Sequence, residues 1–138
     1  MFTDAEIAYL ASQPLARLAT LNDDGWPDVV PVAFEFDQGI FWVGGGATVT
    51  GTRKMRNVTA GRTKVSLVID DLPSLQPFVA RGIRVYGTAG APEERVGMTG
   101  PGTYLRITPV TSWSWNLDGE PVADEWYPMT RTDHSITG

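Results

Sequence analysis

The chain contains no cysteine and one histidine, His134, among its 138 residues. The first absence excludes disulfides, thiol nucleophiles and thiolate metal sites together. The second removes most Ser–His–acid triads and most zinc or iron sites, which draw on several imidazoles or thiolates. No apolar run approaches the roughly 18 residues that a membrane span needs, and no signal-peptide pattern opens the chain, so a cytoplasmic protein is expected. Cations are the minority, 11 Lys and Arg against 16 Asp and Glu for a formal charge of −5, which argues against a dedicated nucleic-acid binder. No Gly-x-Gly-x-x-Gly opens a helix after a strand, and no Gly-x-Ser-x-Gly elbow is present. Gly46 and Gly51 have the spacing of a P-loop, but Thr52-Arg53 stands where Lys-Ser/Thr would follow.

What is there reads as one domain of short strands. Thr3 and Glu6 form a capping-box pair, and Ile7, Leu10 and Ala11 fall on one face of a helix that Pro14 ends. Leu15 to Leu21 is a short apolar run closed by Asn22-Asp23-Asp24-Gly25, a turn cluster. Pro27 to Phe36 alternates, with Val30, Val32, Phe34 and Phe36 on one face, and Asp37-Gln38-Gly39 turns it back into Ile40 to Val43. A triple glycine, Gly44 to Gly46, then breaks the meander. A helix is predicted from Thr50 to about Ala60, with Met55 and Val58 inward and Gly61 as its cap. Strands follow at Lys64 to Asp70 and Phe78 to Ala91, separated by a loop from Asp71 to Pro77. Pro92 to Gly102 reads as irregular, and Thr103 to Asn116 as one bent strand or two short ones around Pro109. Trp42, in a strand, reads most simply as core. The expected fold is mainly β: a six- to seven-stranded antiparallel split barrel over residues 1–116, with an N-terminal helix and one inserted helix. Residues 117–138 form a polar, acidic arm, either docked or partly disordered.

Charge is the most informative feature. Arg53, Lys54, Arg56, Arg62 and Lys64 lie within twelve residues with no acid among them, after three threonines and a run of glycine. Guanidinium and ammonium groups, hydroxyls and the N–H groups of a helix start are what a phosphate needs. The alternative is a solvated basic face. The carboxylate pairs Asp23/Asp24, Asp70/Asp71 and Glu93/Glu94 are adjacent in sequence beside turn residues and read as solvated. Trp113 and Trp115 share one face of a terminal strand, and Trp126-Tyr127 follow in the arm. They form either packing and a subunit interface or a flat wall for an aromatic ligand.

The order of pieces is itself a signature. Leu15-Ala-Arg-Leu-Ala-Thr-Leu21, Asp24-Gly25-x-Pro27, Val30-Pro31-Val32-x-Phe34, Thr52-Arg53-Lys54-x-Arg56-Asn57-Val58 and Val65-Ser-Leu-Val-Ile-Asp70 follow one another along the chain. Together, over about residues 1–110, they resemble the pyridoxamine-phosphate-oxidase-like split-barrel flavoproteins. The similarity is to their actinobacterial branch that uses the deazaflavin coenzyme F-420, which includes reductases of tetracycline-type antibiotic pathways. The resemblance implies a homodimer with two cofactor sites at the subunit interface. It implies that Val30, Pro31 and Val32 lie along the flavin-type ring, and that Thr52, Arg53, Lys54 and Asn57 hold the phosphate. It leaves Trp113 or Trp115 of the partner subunit to close the site against the substrate. True pyridoxamine phosphate oxidases carry further basic residues near the C-terminus. Here residues 121–138 offer Arg131 and His134 against Asp124, Glu125 and Asp133, which argues against vitamin B6 oxidation. The expected activity is hydride transfer from coenzyme F-420 to a bulky, planar, unsaturated molecule, with an FMN-dependent oxidoreductase of the same fold, or a non-catalytic flavin- or haem-binding module, as alternatives.

Overall fold

A computed structural model describes residues 1–44 and 52–134. The first helix, α1 (Asp4–Ser12), starts as its sequence dictates: Glu6 N donates to Thr3 Oγ1 at 3.1 Å, and Thr3 N donates to Glu6 Oε1 at 2.9 Å. Its buried face is Glu6, Tyr9 and Leu10, while Ile7 remains 40% exposed. The helix is rolled from the expected Ile7/Leu10/Ala11 face because Tyr9 reaches a polar anchor, its hydroxyl donating to Asp71 Oδ1 at 2.6 Å.

Eight strands follow among the described residues: β1 (Leu15–Leu21), β2 (Pro27–Asp37), β3 (Ile40–Gly44), β4 (Lys64–Ser74), β5 (Val79–Ala89), β6 (Glu93–Gly97), β7 (Gly100–Trp115) and β8 (Met129–Asp133). The second helix, α2 (Arg53–Thr59), lies between β3 and β4 with Met55 and Val58 buried, as the sequence predicts. All the pairings are antiparallel, in the order β3-β2-β1-β4-β5-β7, and β3 also pairs with β7, so six strands close into a barrel. β6 and β8 are additions, each paired with β7. Inward residues recur along the barrel strands apart from the first half of β2, and Leu18, Phe34, Phe41, Leu67, Ile83 and Ile107 fill the interior. Phe2 packs edge-on against Phe36 and Phe41.

Three segments are more regular than their composition suggests. The expected loop from Asp71 to Pro77 is strand as far as Ser74, with a register shift between Asp71 and Ser74. The stretch from Pro92 to Gly102 contains β6 and its turn into β7. Thr103 to Trp115 belongs to one long strand, and Asn116 lies just past its end, because β7 absorbs Pro109 through a bulge: Gly87 faces Pro109 and Tyr86 faces Thr111, leaving Val110 without a partner in β5. The arm is docked over its described length. Val122 N donates to the Phe78 carbonyl at 2.9 Å, Asn116 Nδ2 to the Ala80 carbonyl at 2.8 Å, and the chain returns as β8. Trp42 is half-buried rather than core, with the Arg95 guanidinium 4.4 Å from its ring centroid. No helix among the described residues is long and apolar enough to cross a membrane.

Candidate functional site

The site begins with an interrupted edge. β2 pairs with β1 along Pro27 to Ala33, but β3 joins β2 only from Phe34 to Asp37. The first half of β2 therefore has one side without a strand among the described residues. There its side chains cannot all be inward: Val29, Val30 and Pro31 are exposed, while Val32 and Phe34 turn into the core. Lined along this exposed stretch by Thr20, Asp28, Val29, Val30, Pro31, Thr52, Arg53 and Lys54 is a cleft of about 340 Å³.

The cleft gathers most of the predicted cofactor residues. Val30, Pro31, Thr52, Arg53 and Lys54 line it together. Val32 sits just behind, buried, so only its backbone is available to the open side. Asn57 is buried as well, and both its amide hydrogens are committed, to Thr20 Oγ1 at 2.9 Å and to Asp28 Oδ2 at 2.8 Å. Its place is behind the wall, where it fixes Asp28. Arg53 lies over the same carboxylate at 3.5 Å. Thr20 and Asp28 were not singled out by sequence, since one sits in an apolar run and the other follows a turn. The Lys54 ammonium has no ion-pair partner among the described residues, and burial holds it below the ordinary lysine value. Two cations in the first turn of α2 also oppose the helix dipole, which favours acids there. That local conflict is expected at functional positions.

The basic cluster does not act as one unit. Arg62 bonds the Leu21 carbonyl at 2.8 Å and pairs with Asp23, bracing the β1–β2 turn. Arg56 opens on a separate cleft with Asn22, Asp23 and Asp24, and Lys64 lines an apolar groove with Leu21, Tyr86 and Val110. The triple glycine beyond Gly44, the Gly46–Gly51 spacing and the predicted helix start at Thr50 lie outside the described residues.

The two tryptophans are elsewhere on the protomer. Trp113 lies on the outer face of β7, with the Arg84 guanidinium 4.1 Å from its ring centroid and Tyr86 edge-on at 4.9 Å. Trp115 covers Gly82 and borders a cleft of about 480 Å³ with Glu6, Asn116 and Tyr127. Neither lines the cleft at β2 and α2. Among the described residues no group of three or more His, Cys, Asp or Glu is placed to hold a metal.

This closed antiparallel barrel with a cleft at an interrupted edge is the architecture of the flavin-type split barrels. The family model described as pyridoxamine 5'-phosphate oxidase matches residues 2–97, and the chain belongs to that family. It is 36% identical over 129 residues to a 5a,11a-dehydrotetracycline/5a,11a-dehydrooxytetracycline reductase of Streptomyces rimosus subsp. rimosus, covering 86% of each chain. Among solved structures it superposes on an F420 reductase with a TM-score of 0.62 at 17% identity, covering 80% of this chain and 98% of the other. A heme binding protein from Mycobacterium smegmatis shares the fold at a TM-score of 0.64 and 16% identity, over 96% of this chain and 59% of that one. The protein is thus an enzyme of this family, an oxidoreductase.

Proposed function

We propose that the protein is a coenzyme F-420-dependent reductase that delivers hydride to a bulky, planar, unsaturated small molecule, of the kind found among polyketide antibiotic intermediates. The observation that carries this reading is the cleft, where Lys54 and Arg53 stand beside the apolar strip Val29–Pro31. Two cations suit a phosphate, and an apolar strand with one side unpaired among the described residues suits the edge of a flat heterocycle, to which it offers carbonyls and the N–H groups of its non-proline residues. Thr52, Arg53 and Lys54 would hold the phosphate, and Val30, Pro31 and the Val32 backbone would flank the ring. Asn57 would keep the wall in place through Asp28 and Thr20. A reduced deazaflavin supplies the hydride, so the chain's own tasks are binding, orientation and exclusion of water. The name of the Streptomyces relative supports reduction of a polycyclic acceptor. Because Trp113 and Trp115 stand apart from this cleft, their meeting a substrate there requires a homodimer, in which Trp113 of the partner subunit or Trp115 of the partner subunit closes the site.

One observation favours FMN instead: of five clustered cations only Arg53 and Lys54 line the cleft, and a single phosphate needs no more. Titrating the purified protein with each cofactor separates the two, since their absorbance spectra differ. Lys54→Ala is expected to weaken the bound cofactor about tenfold to a hundredfold, the worth of a charge-assisted contact of roughly 1.5–3 kcal/mol. Lys64→Ala, in the other groove, should change little. Equal small losses for both would leave the cleft without a phosphate and sink the reading.

A further inference from the structure

The strand registers align Arg17, Val68, Arg84, Trp113 and Arg131 in one row across β1, β4, β5, β7 and β8. Their neighbours Leu18, Leu67, Ile83 and Ser112 are buried, so the row faces outward. Three guanidinium groups in an acidic chain thus share one outer surface. Arg17 is answered by Asp70 and Arg131 by Asp133. Arg84 has no carboxylate among the described residues, and its Nε is buried without a hydrogen-bond partner. It is held in place by aromatic rings rather than by an acid, 4.1 Å from the Trp113 centroid and 5.5 Å from that of Tyr86. Two residue pairs further along, Trp115 lies over Gly82, and its indole N–H is likewise buried, with no hydrogen-bond partner among the described residues. Two buried donors, one of them charged, thus stand on the same face without an acceptor among the described residues. Such groups destabilise a fold unless something accepts from them.

We infer that this face binds an oxyanion carried by a planar molecule, an enolate, phenolate or ring carboxylate, with Arg84 and the Trp115 indole donating to its oxygen. The half-exposed Tyr86 ring provides the flat apolar surface beside the charge. The inference rests on the reading above that Trp113 and Trp115 meet the substrate, and it makes Arg84 the residue that selects an anionic one. A guanidinium stacked on an aromatic ring with its Nε buried still presents its Nη groups to an oxygen, which a lysine in that place would not reproduce.

The test uses two probes of one shape, 2-naphthoate and the neutral 2-naphthamide, titrated into the full-length protein by calorimetry. The naphthoate is expected to bind at least tenfold tighter, and Arg84→Met should remove that preference while leaving the affinity for the amide unchanged. Trp115→Phe, which keeps a ring and loses the N–H, should weaken the naphthoate several-fold. Equal affinities in the unsubstituted protein, or a preference that survives Arg84→Met, would overturn the inference. So would dissociation of an oligomer on Arg84→Met, seen by light scattering, because the acceptor would then be a carboxylate of another copy. The probes need no cofactor. A chain that binds neither deazaflavin nor FMN but prefers the naphthoate through Arg84 keeps the oxyanion site and loses only the proposed cofactor.

Discussion

At Gly82 the space for a side chain is already taken. A Cβ there would lie 2.7 Å from Trp115 Cζ2 and 2.9 Å from both Asp70 Cβ and the Ile69 carbonyl oxygen. The last of these is backbone in a paired strand and cannot step aside, so Gly82→Ala is expected to destabilise by about 1–3 kcal/mol. Gly90→Ala is the control, since its nearest neighbour would be the Arg106 carbonyl at 3.9 Å. Urea unfolding of the two variants, followed by tryptophan fluorescence, reads the difference, and an unchanged midpoint for Gly82→Ala would contradict the close approach. A residue pair of another kind secures α1. Burial pushes the Tyr9 hydroxyl well above its ordinary value, and its bond to Asp71 adds to the effect. Burial also opposes the charge on Asp71, but the hydrogen bonds from Arg81 and Tyr9 outweigh it, and that carboxyl titrates below the usual range.

The strand β8 is a latch with a titratable pin. His134 donates its backbone N–H to the Val110 carbonyl at 2.8 Å, its ring Nε2 lies 2.8 Å from Ser112 Oγ, and the ring packs 4.4 Å from Phe2. Burial lowers its proton affinity and the chain's amino terminus lowers it further, while Glu6 and Asp133 pull the other way. With the folded value below that of the free side chain, the unfolded chain takes up the proton first. The stabilisation is therefore complete above about pH 6.5 and declines as the pH falls below it. The melting temperature should drop between pH 7 and pH 5, and His134→Gln should flatten that slope. An identical slope in the variant would mean that other groups carry it. At this same scale the limits of the sequence are clearest. The capping box, the β1–β2–β3 meander and the inward Met55 and Val58 were legible, because a local rule governs each. The β6 hairpin and β8 were not. Both are mostly polar and held only by β7: β6 lacks the apolar alternation that marks a half-buried strand, and β8 meets β7 only after the docked arm, a pairing that leaves no trace in local alternation. The site divides in the same way. Lys54 and Arg53 beside Val30 and Pro31 were legible as charge and order, whereas Asn57 behind the wall and Arg84 over Trp113 depend on which strands become neighbours.

For the molecule as a whole, six of the exposed large apolar side chains fall in one region. Leu21, Trp26, Val29 and Val30 follow the rim of β1 and β2, and Tyr86 and Val110 lie across the neighbouring groove. Grouped surfaces of this kind mark association, and the proposed partner is a second copy. Light scattering in dilute solution is expected to give twice the 15.0 kDa chain mass. A monomer mass would remove the shared site together with the dimer. The closing seam of the barrel carries one more consequence, and it concerns time. Phe41 of β3 must find Ile107 of β7 across nearly half the chain, whereas β1, β2 and β3 need only their short turns. During synthesis the meander is complete long before β7 exists, so β3 emerges as a waiting edge whose partner arrives late. The entropy of closing so long a loop falls on that last pairing, and such non-local contacts slow folding. The interval in which the growing chain has an unpaired hydrophobic edge is therefore set by how soon residues 100–115 follow, and it ends when the seam between β3 and β7 zips.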